Sequence, residues 1–383
     1  MSFEFATSAR ILFGNGCLAK VPDIARSFGT RALVVTGVSR DMVNPFLDGL
    51  TRAGIGFEVF TTDREPTITD IETGISLARH LSCNLVIGYG GGSAIDSAKA
   101  IAAMANNPGD LSDYLEVIGK GNQLAEAPLP CIAIPTTSGT GAEVTKNAVI
   151  KSPEHKMKVS LRSPLMFPAV AVVDPELTWS MPPELTASTG IDALTHLLET
   201  FVSNQSNVFT DMLCREGMRR ISSSLQVAWS DGTDSGARED MSLASLLGGM
   251  ALANGKLGAV HGLAGPLGGM YTISHGTVCA TLLPAVMETN IRVISEQGLY
   301  VLLERYNEVA RILTCNHNSS APDGAEWIRE LVTLMKIPPL SVSGIHETDF
   351  PEIVSRSQSA SSMKGNPVVL TDNNVVGIIK MAL

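Results

Sequence analysis

The hydrophobic pattern of this chain changes near residue 178, and that change limits the folds it can adopt. Up to Pro175, short β-branched runs alternate with amphipathic helical segments, which is the pattern of a parallel α/β sheet. Beyond that point, long apolar segments with helical spacing follow one another, and β-branched runs are few. We therefore predict two domains: an α/β domain over residues 1–178 and an all-helical domain over residues 179–383.

The same patterns predict individual elements and loops. Strands are expected at 31–37, 55–61, 84–90, 129–137 and 169–175, and helices at 41–53, 70–81, 93–105, 206–222, 241–252 and 299–312. A further helix is expected to open at Pro182 and Pro183. The polar stretches 230–240 and 316–323 are typical of surface loops.

Composition excludes several classes of protein. The 383 residues are 44% hydrophobic and 17% charged, so the chain can bury sizeable cores and is not disordered. The net charge of −10 includes no basic block, which argues against nucleic-acid binding. No apolar run reaches the roughly 18 residues that cross a bilayer, and the N-terminus lacks a signal-peptide pattern. Six scattered cysteines without a CxxC pair fit reduced thiols, so we expect a cytoplasmic protein without membrane partners.

A glycine-rich turn joins the predicted strand 84–90 to the helix 93–105. It consists of Gly90, Gly91, Gly92 and Ser93. Without Cβ atoms, glycines let the backbone approach a phosphate closely, and the start of the following helix attracts an anion. We expect Ser93 to cap that helix and to offer a hydroxyl donor. The turn is not a GxGxxG fingerprint, so a merely tight strand–helix turn explains the glycines equally well.

A second loop of small residues, IPTTSGTGAEVT (134–145), also follows a predicted strand. Its hydroxyl groups would serve as donors to a ribose or a phosphate, although an ordinary polar loop has the same composition. Both loops follow buried strands and therefore belong at the carboxyl edge of the sheet, where ligands bind in open α/β folds. Together they predict a nucleotide site.

Asp192, His196, His261 and His275 form a candidate metal site. The first two are four residues apart in a predicted helix, so their side chains leave the same face. His261 and His275 each precede a glycine in apolar surroundings. One carboxylate and three imidazoles suit Fe²⁺ or Zn²⁺. The alternative is that these are packed core histidines and a capping aspartate, because D-x-x-x-H also occurs by chance.

Several segments together resemble the iron-containing (group III) alcohol dehydrogenases. The matching stretches are GGGSAIDSAKAIA (90–102), PTTSGTGAEVT (135–145), 174–203, 252–290 and SMKGNP (362–367). The likeness runs from about residue 3 to residue 383. It implies a Rossmann-like N-terminal domain, a helical C-terminal domain of the dehydroquinate synthase-like fold, and a site in the cleft between them. Members are commonly dimers or larger homo-oligomers.

The resemblance also implies an activity and a set of site residues. The activity is a reversible hydride transfer between NAD(P)(H) and a small alcohol or aldehyde, with Fe²⁺ or sometimes Zn²⁺ as the Lewis acid. The implied metal ligands are Asp192, His196, His261 and His275. The implied cofactor residues are Gly90, Gly91, Gly92, Ser93, Asp96, Thr136, Thr137 and Thr140, with Lys158 and Leu177 beside the ribose and ring. The implied pocket wall includes Asn147, Leu252 and Ser362.

Two departures from the family pattern affect this expectation. Many members carry a second histidine four residues after the third ligand, near the nicotinamide, where it is thought to help move the proton. Here that residue is Gly265, so water or a hydroxyl group would have to serve.

The second departure concerns the choice of cofactor. NAD-specific members usually have aspartate after the second-strand threonine, whereas this chain has Gly37. A missing carboxylate leaves room for a 2′-phosphate, which Ser39 or Arg40 would contact. NADP is therefore expected over NAD, unless Arg40 simply faces solvent.

Other functions remain open at this stage. Maleylacetate reductase-like members work without the four ligands, and glycerol dehydrogenase-like or dehydroquinate synthase-like members use three ligands in another pattern. The D-x-x-x-H spacing and the three histidines count against both groups. A nucleotide- and metal-binding homologue that has lost catalysis is favoured only by Gly265. A purely structural oligomer would bind no cofactor tightly.

Overall fold

A computed structural model describes residues 2–62 and 64–383. The chain divides into two units. One is Ala6–Trp179, and the other contains Ser180–Leu383 together with the N-terminal segment that ends at Phe5.

Six parallel strands form the main sheet of the first unit, in the order β1-β8-β5-β4-β2-β3. They are β1 (Arg10–Phe13), β2 (Arg31–Thr36), β3 (Gly56–Thr61), β4 (Leu85–Gly90), β5 (Cys131–Pro135) and β8 (Val170–Val173). Both faces of the sheet are covered, because alternate residues of one strand enter different cores. Leu33 and Val35 pack with helices on one face, and Ala32 and Val34 pack on the other. This is why the strands read as continuous apolar runs.

The helices of this unit flank the sheet. They are α1 (Val21–Arg26), α2 (Arg40–Arg52), α3 (Ile68–His80), α4 (Gly92–Ala105) and α5 (Leu111–Tyr114), with 3-10 turns at Cys17–Lys20, Ala142–Val144, Pro164–Met166 and Pro175–Thr178. Helix α4 is buried along nearly its whole length, since small residues dominate it. It therefore fixes the glycine-rich turn that precedes it.

The sequence did not predict three strands of this unit. One is the edge strand β1. The other two, β6 (Asn147–Ser152) and β7 (Met157–Arg162), form an antiparallel hairpin whose inner residues pack with α3 and α4. Apart from Val149, the residues that alternate with the inner ones are polar or charged, and the loop between the strands is polar, so neither strand gives a continuous apolar run.

The second unit is helical. Its helices are α6 (Pro183–Val202), α7 (Val208–Ser230), α8 (Ser235–Asn254), α9 (Ala259–Met270), α10 (His275–Glu296), α11 (Tyr300–Thr314), α12 (Ala321–Leu334), α13 (Phe350–Ser359) and α14 (Asp372–Ala382). Short 3-10 turns lie at Leu340–Ser343, Glu347–Asp349 and Met363–Gly365. One large apolar core joins these helices. The predicted α/β sheet followed by helices is thus confirmed.

Two loop predictions were wrong in part. Residues 230–240 are not one loop, because Asp234 accepts a hydrogen bond from the backbone of Ala237 and begins α8. Arg238 is buried there, with its guanidinium bound to Gly232, Thr186 and Met181. Similarly, α12 begins at Ala321, inside the predicted loop 316–323. In both cases an N-capping residue in a polar stretch was overlooked.

One helix is longer and more apolar than we predicted from the sequence, where no apolar run of membrane-spanning length was recognised. Helix α10 has 22 residues and, by length and composition alone, is long and apolar enough to cross a membrane. However, 78% of its most apolar window is buried inside the structure, as in the core helix of a globular unit.

Candidate active site

A stripe of polar side chains crosses the otherwise apolar helix α6. Asp192, His196 and Glu199 lie at positions i, i+4 and i+7, so they share one face of the helix. Their relative exposures are 1%, 4% and 3%. Three ionisable groups this deeply buried need partners.

Three imidazoles surround one oxygen of Asp192. The Nε2 atoms of His261, His275 and His196 lie 3.7, 3.8 and 4.0 Å from Asp192 Oδ1. These separations are too long for hydrogen bonds. Oδ1 is buried and finds no hydrogen-bond partner of normal geometry among the described residues. Ligands of a common cation show this arrangement, with donor atoms converging but not touching. The structure therefore brings together all four of the residues expected to bind metal.

Glu199 holds His261 from behind. Its Oε2 atom lies 2.7 Å from His261 Nδ1, and Oε1 accepts a hydrogen bond of 2.6 Å from the backbone of Val260. Gly258 permits this approach, since a Cβ there would lie 2.9 Å from Glu199 Oε1. A carboxylate behind an imidazole fixes which ring nitrogen faces forward. Glu199 was not among the residues predicted from the sequence, although its i+7 spacing from Asp192 was a usable signal.

A cysteine joins the cluster. Cys279 Sγ lies 3.7 Å from His275 Nε2 and 3.8 Å from His261 Nε2. The donor atoms of Asp192, His261, His275 and Cys279 all lie within 4.8 Å of one another. Cys279 is four residues after His275 on α10, so it shares that residue's face. The sequence reading missed it.

Burial and nearby charges have opposite effects on the pKa values of His261 and Asp192. Burial by itself would lower the pKa of His261, but the hydrogen bond and charge of Glu199, with the charge of Asp192, raise the pKa above its ordinary value. Burial would likewise raise the pKa of Asp192, and the facing imidazoles hold it lower instead. The cluster therefore favours an ionised carboxylate beside positive charge.

The glycines that follow His261 and His275, Gly262 and Gly276, are required by close packing. A Cβ at Gly276 would lie 2.8 Å from the carbonyl oxygen of Ser188 on α6. A Cβ at Gly262 would lie 3.1 Å from the Cβ atom of Met363. These glycines allow the backbone around each histidine to pack closely against its neighbours, which brings the imidazoles toward Asp192.

In the α/β unit, the two predicted nucleotide loops lie side by side. Strands β4 and β5 are adjacent, and the backbone of Thr136 donates to the carbonyl of Gly90 at 3.0 Å. A Cβ at Gly92 would lie 2.8 Å from Thr140, and one at Gly91 would lie 3.4 Å from Thr137. The two loops thus form one backbone-lined surface at the carboxyl edge of the sheet.

The expected cap by Ser93 was wrong. Helix α4 begins at Gly92, with Gly91 at the N-cap position and no side-chain cap. Ser93 instead lies inside the first turn, because the glycines themselves adopt the capping geometry.

Asp96 is already engaged by the protein. It accepts a hydrogen bond of 2.9 Å from the backbone of Val149 and pairs with the buried Lys99 at 2.9 Å. These contacts tie the β6–β7 hairpin to α4.

The residues tied to cofactor choice lie after β2. Ser39 is the N-cap residue of α2, and Ser39 and Arg40 are both exposed. A Cβ at Gly37 would lie 2.5 Å from the carbonyl oxygen of Thr62. Glycine at 37 therefore has a packing reason that is independent of any cofactor.

The remaining predicted residues divide between the units. Lys158 on β7 forms an ion pair with Glu65, and Leu177, in the turn after β8, packs at the edge of one apolar core of the sheet. Asn147 begins β6, whereas Leu252 and Ser362 are half-buried residues of the helical unit. Ser362 immediately precedes Met363, which contacts Gly262 beside His261.

Comparison with known proteins agrees with both units. Residues 8–175 match the family model for iron-containing alcohol dehydrogenase, and residues 186–383 match the C-terminal model of the Fe-containing alcohol dehydrogenase family. Alcohol dehydrogenase 4 of Saccharomyces cerevisiae is 37% identical over 381 residues, which cover 97% of this chain and 96% of the yeast protein.

Solved structures show the same fold. A crystal structure of 1,3-propanediol oxidoreductase superposes with a TM-score of 0.91 at 32% identity, over all of both chains. Sulfoacetaldehyde reductase from Bifidobacterium kashiwanohense, solved with NAD⁺, superposes with a TM-score of 0.86 at 29% identity, over 100% of this chain and 99% of that one. This chain therefore belongs to the iron-containing alcohol dehydrogenase family and is an oxidoreductase of that class.

Proposed function

We propose that this protein is a metal-dependent alcohol dehydrogenase and aldehyde reductase that uses NAD(P)(H). The buried Oδ1 atom of Asp192, which accepts no hydrogen bond within the described residues and is faced by three imidazole nitrogens at 3.7–4.0 Å, is the observation that carries this proposal. An anionic oxygen in such a place is costly unless a cation completes its surroundings. Asp192, His196, His261 and His275 fit Fe²⁺, and Zn²⁺ is the alternative. Such a metal polarises the carbonyl of an aldehyde or lowers the pKa of an alcohol.

The chain's own residues would position the reactants. Glu199 holds His261 with Nε2 forward. Gly90, Gly91, Gly92 and Ser93 would contact the pyrophosphate through their backbone, with Asp96 steadying the loop. The hydroxyl groups of Thr136, Thr137 and Thr140 would face the nucleotide, and Lys158 and Leu177 would lie beside its ribose and ring. Leu252 and Ser362 of the helical unit are the proposed wall of a pocket for a small alcohol or aldehyde, and Asn147 stays a prediction from the family resemblance.

Several finer points stay predictions. They are the preference for NADP, assembly into a dimer or larger homo-oligomer, and a cytoplasmic location. The last is supported by the six cysteines, none of which takes part in a disulfide.

The decisive experiment joins metal analysis to turnover. Protein purified without oxygen is assayed for bound Fe and Zn, then for oxidation of NADH and NADPH with a panel of short aldehydes, before and after chelation. We expect activity to fall with the metal and to return when Fe²⁺ is added. His261→Ala should lose metal and activity but still bind cofactor, because the nucleotide loops lie in the other unit.

A homologue without catalysis is the second candidate, because Gly265 provides no side chain for proton transfer. Tight cofactor and metal binding without turnover on any aldehyde tested would establish it and overturn the enzyme proposal.

A further inference from the structure

We propose that Cys279 is a further ligand of the metal centre, so that the site includes a sulfur donor beside Asp192 and the histidines. This inference rests on the proposed metal site and names the chemistry of one more of its donors.

The geometry of the cluster supports ligation. Nitrogen and sulfur donors on one Zn²⁺, with bonds of about 2.0 Å and about 2.3 Å, lie roughly 3.1 Å apart at a bond angle of about 90° and roughly 3.7 Å apart at about 120°. Cys279 Sγ lies 3.7 Å from His275 Nε2 and 3.8 Å from His261 Nε2. In residues 2–62 and 64–383, these donors and Asp192 are the one group of three or more metal-binding side chains with such spacing.

The surroundings of the thiol point the same way. Cys279 is fully buried on α10, one turn after His275. Beside it lies the buried carboxylate of Asp192, whose Oδ1 atom faces the Nε2 atoms of His261 and His275 at 3.7 and 3.8 Å. A cation bonded to this oxygen and to the two Nε2 atoms would lie close to Cys279 Sγ, because all four donor atoms are within 4.8 Å of one another.

Ligation by Cys279 would change the character of the site. The thiol would lose its proton to solvent as the metal binds, and no electron would be transferred. A soft thiolate favours Zn²⁺ more than a set of oxygen and nitrogen donors does. With His196, the cluster would offer five protein donors, so substrate would bind as a further donor or in place of one of them.

Cobalt provides a direct test, because a thiolate bound to Co²⁺ gives a charge-transfer absorption in the near ultraviolet that oxygen and nitrogen ligands do not. Metal-free full-length protein is titrated with Co²⁺ under anaerobic conditions, and bound cobalt is counted. Cys279→Ser keeps the size of the side chain. Cys214→Ala is the matched control, since Cys214 is a fully buried thiol of the same core.

We expect the band in the wild type and in Cys214→Ala, and its loss in Cys279→Ser with cobalt still bound. Bound cobalt without the band in the wild type would overturn the inference and leave the metal site intact. A band that survives in Cys279→Ser would also overturn it, because another thiol, such as the exposed Cys315, would be the source. Failure of the wild type to bind cobalt would overturn both this inference and the proposed function.

Discussion

The Nδ1 atom of His261 lies 2.7 Å from Oε2 of Glu199, so one buried carboxylate determines which nitrogen of this imidazole faces Asp192. The same carboxylate accepts the backbone hydrogen bond of Val260 at the start of α9. Glu199 on α6 therefore positions both the ring and the helix that bears it.

Glu199→Gln tests this positioning role. An amide nitrogen facing His261 Nδ1 would favour the wrong tautomer, so we expect metal affinity to fall about 10–100-fold with the fold retained. Chelator competition at pH 8 measures the change. Glu184→Gln, an exposed glutamate in the first turn of the same helix, is the control. Equal affinities in both variants would show that Glu199 is only a packing residue.

The raised pKa of His261 predicts how metal binding depends on pH. In the metal-free protein, the proton on His261 adds stability below the ordinary value of 6.5, and this contribution is lost as pH rises through the raised pKa. Metal must displace that proton, so the affinity for metal should weaken as the pH is lowered. The weakening should already begin at a pH above 6.5, because the pKa of His261 is raised. Metal retained after dialysis across about pH 5.5–8.5 measures the midpoint. Glu199→Gln should move it to lower pH, and an unchanged midpoint would contradict this account.

Gly265→His tests the missing proton relay. A Cβ at this position meets nothing within 4 Å, and the residue lies one turn after His261 on α9. Replacing a helical glycine should raise stability by up to about 1 kcal/mol. We expect a higher kcat for aldehyde reduction and a new ionisation near the pKa of histidine in the pH–rate profile. Gly265→Ala adds a Cβ without an imidazole, and identical kinetics in the two variants would argue against any relay at this position.

Arg40→Ala tests the preference for NADP. An exposed ion pair between Arg40 and a 2′-phosphate would contribute about 1 kcal/mol to the binding free energy. Its loss should raise the KM for NADPH about fivefold, while the KM for NADH stays constant. Arg52→Ala, at the other end of α2, is the control. Equal changes for both cofactors, or none, would remove the assignment. Gly37→Asp is a poorer test, because its Cβ would collide with the carbonyl of Thr62.

Glu143 predicts a pH-dependent stability of the α/β unit. Burial raises the pKa of this carboxyl to about 7, against opposing hydrogen-bond and Lys99 contributions. Because the folded pKa is above the unfolded value of 4.5, stability should decline as pH rises from 4.5 through 7, by about 3 kcal/mol. Thermal unfolding at several pH values measures this decline. Glu143→Gln should remove it, and a parallel decline in the variant would assign it to other groups.

Local physics explains how much could be predicted from the sequence. Strands β2, β4 and β5 were found because strands buried on both faces are continuous apolar runs. Asp192 and His196 were placed on one face because the helix repeat alone fixes residues four apart. The two loops predicted to bind nucleotide were placed at one edge of the sheet because parallel strands end there.

The features that the sequence did not predict depend on which helices and strands pack against one another. Helical periodicity placed Glu199 and Cys279 on the faces of Asp192 and His275, but it did not reveal that α6, α9 and α10 bring them to His261. The β6–β7 hairpin was missed because its inner residues alternate with mostly polar or charged ones and find their core only against α3 and α4. The sequence by itself predicted most strands of the main sheet, several helices of the second unit and, through the family resemblance, the four residues expected to bind metal. Only the tertiary structure decided which carboxylate orients His261 and which thiol approaches Asp192, because contacts between residues far apart in the chain depend on how helices pack.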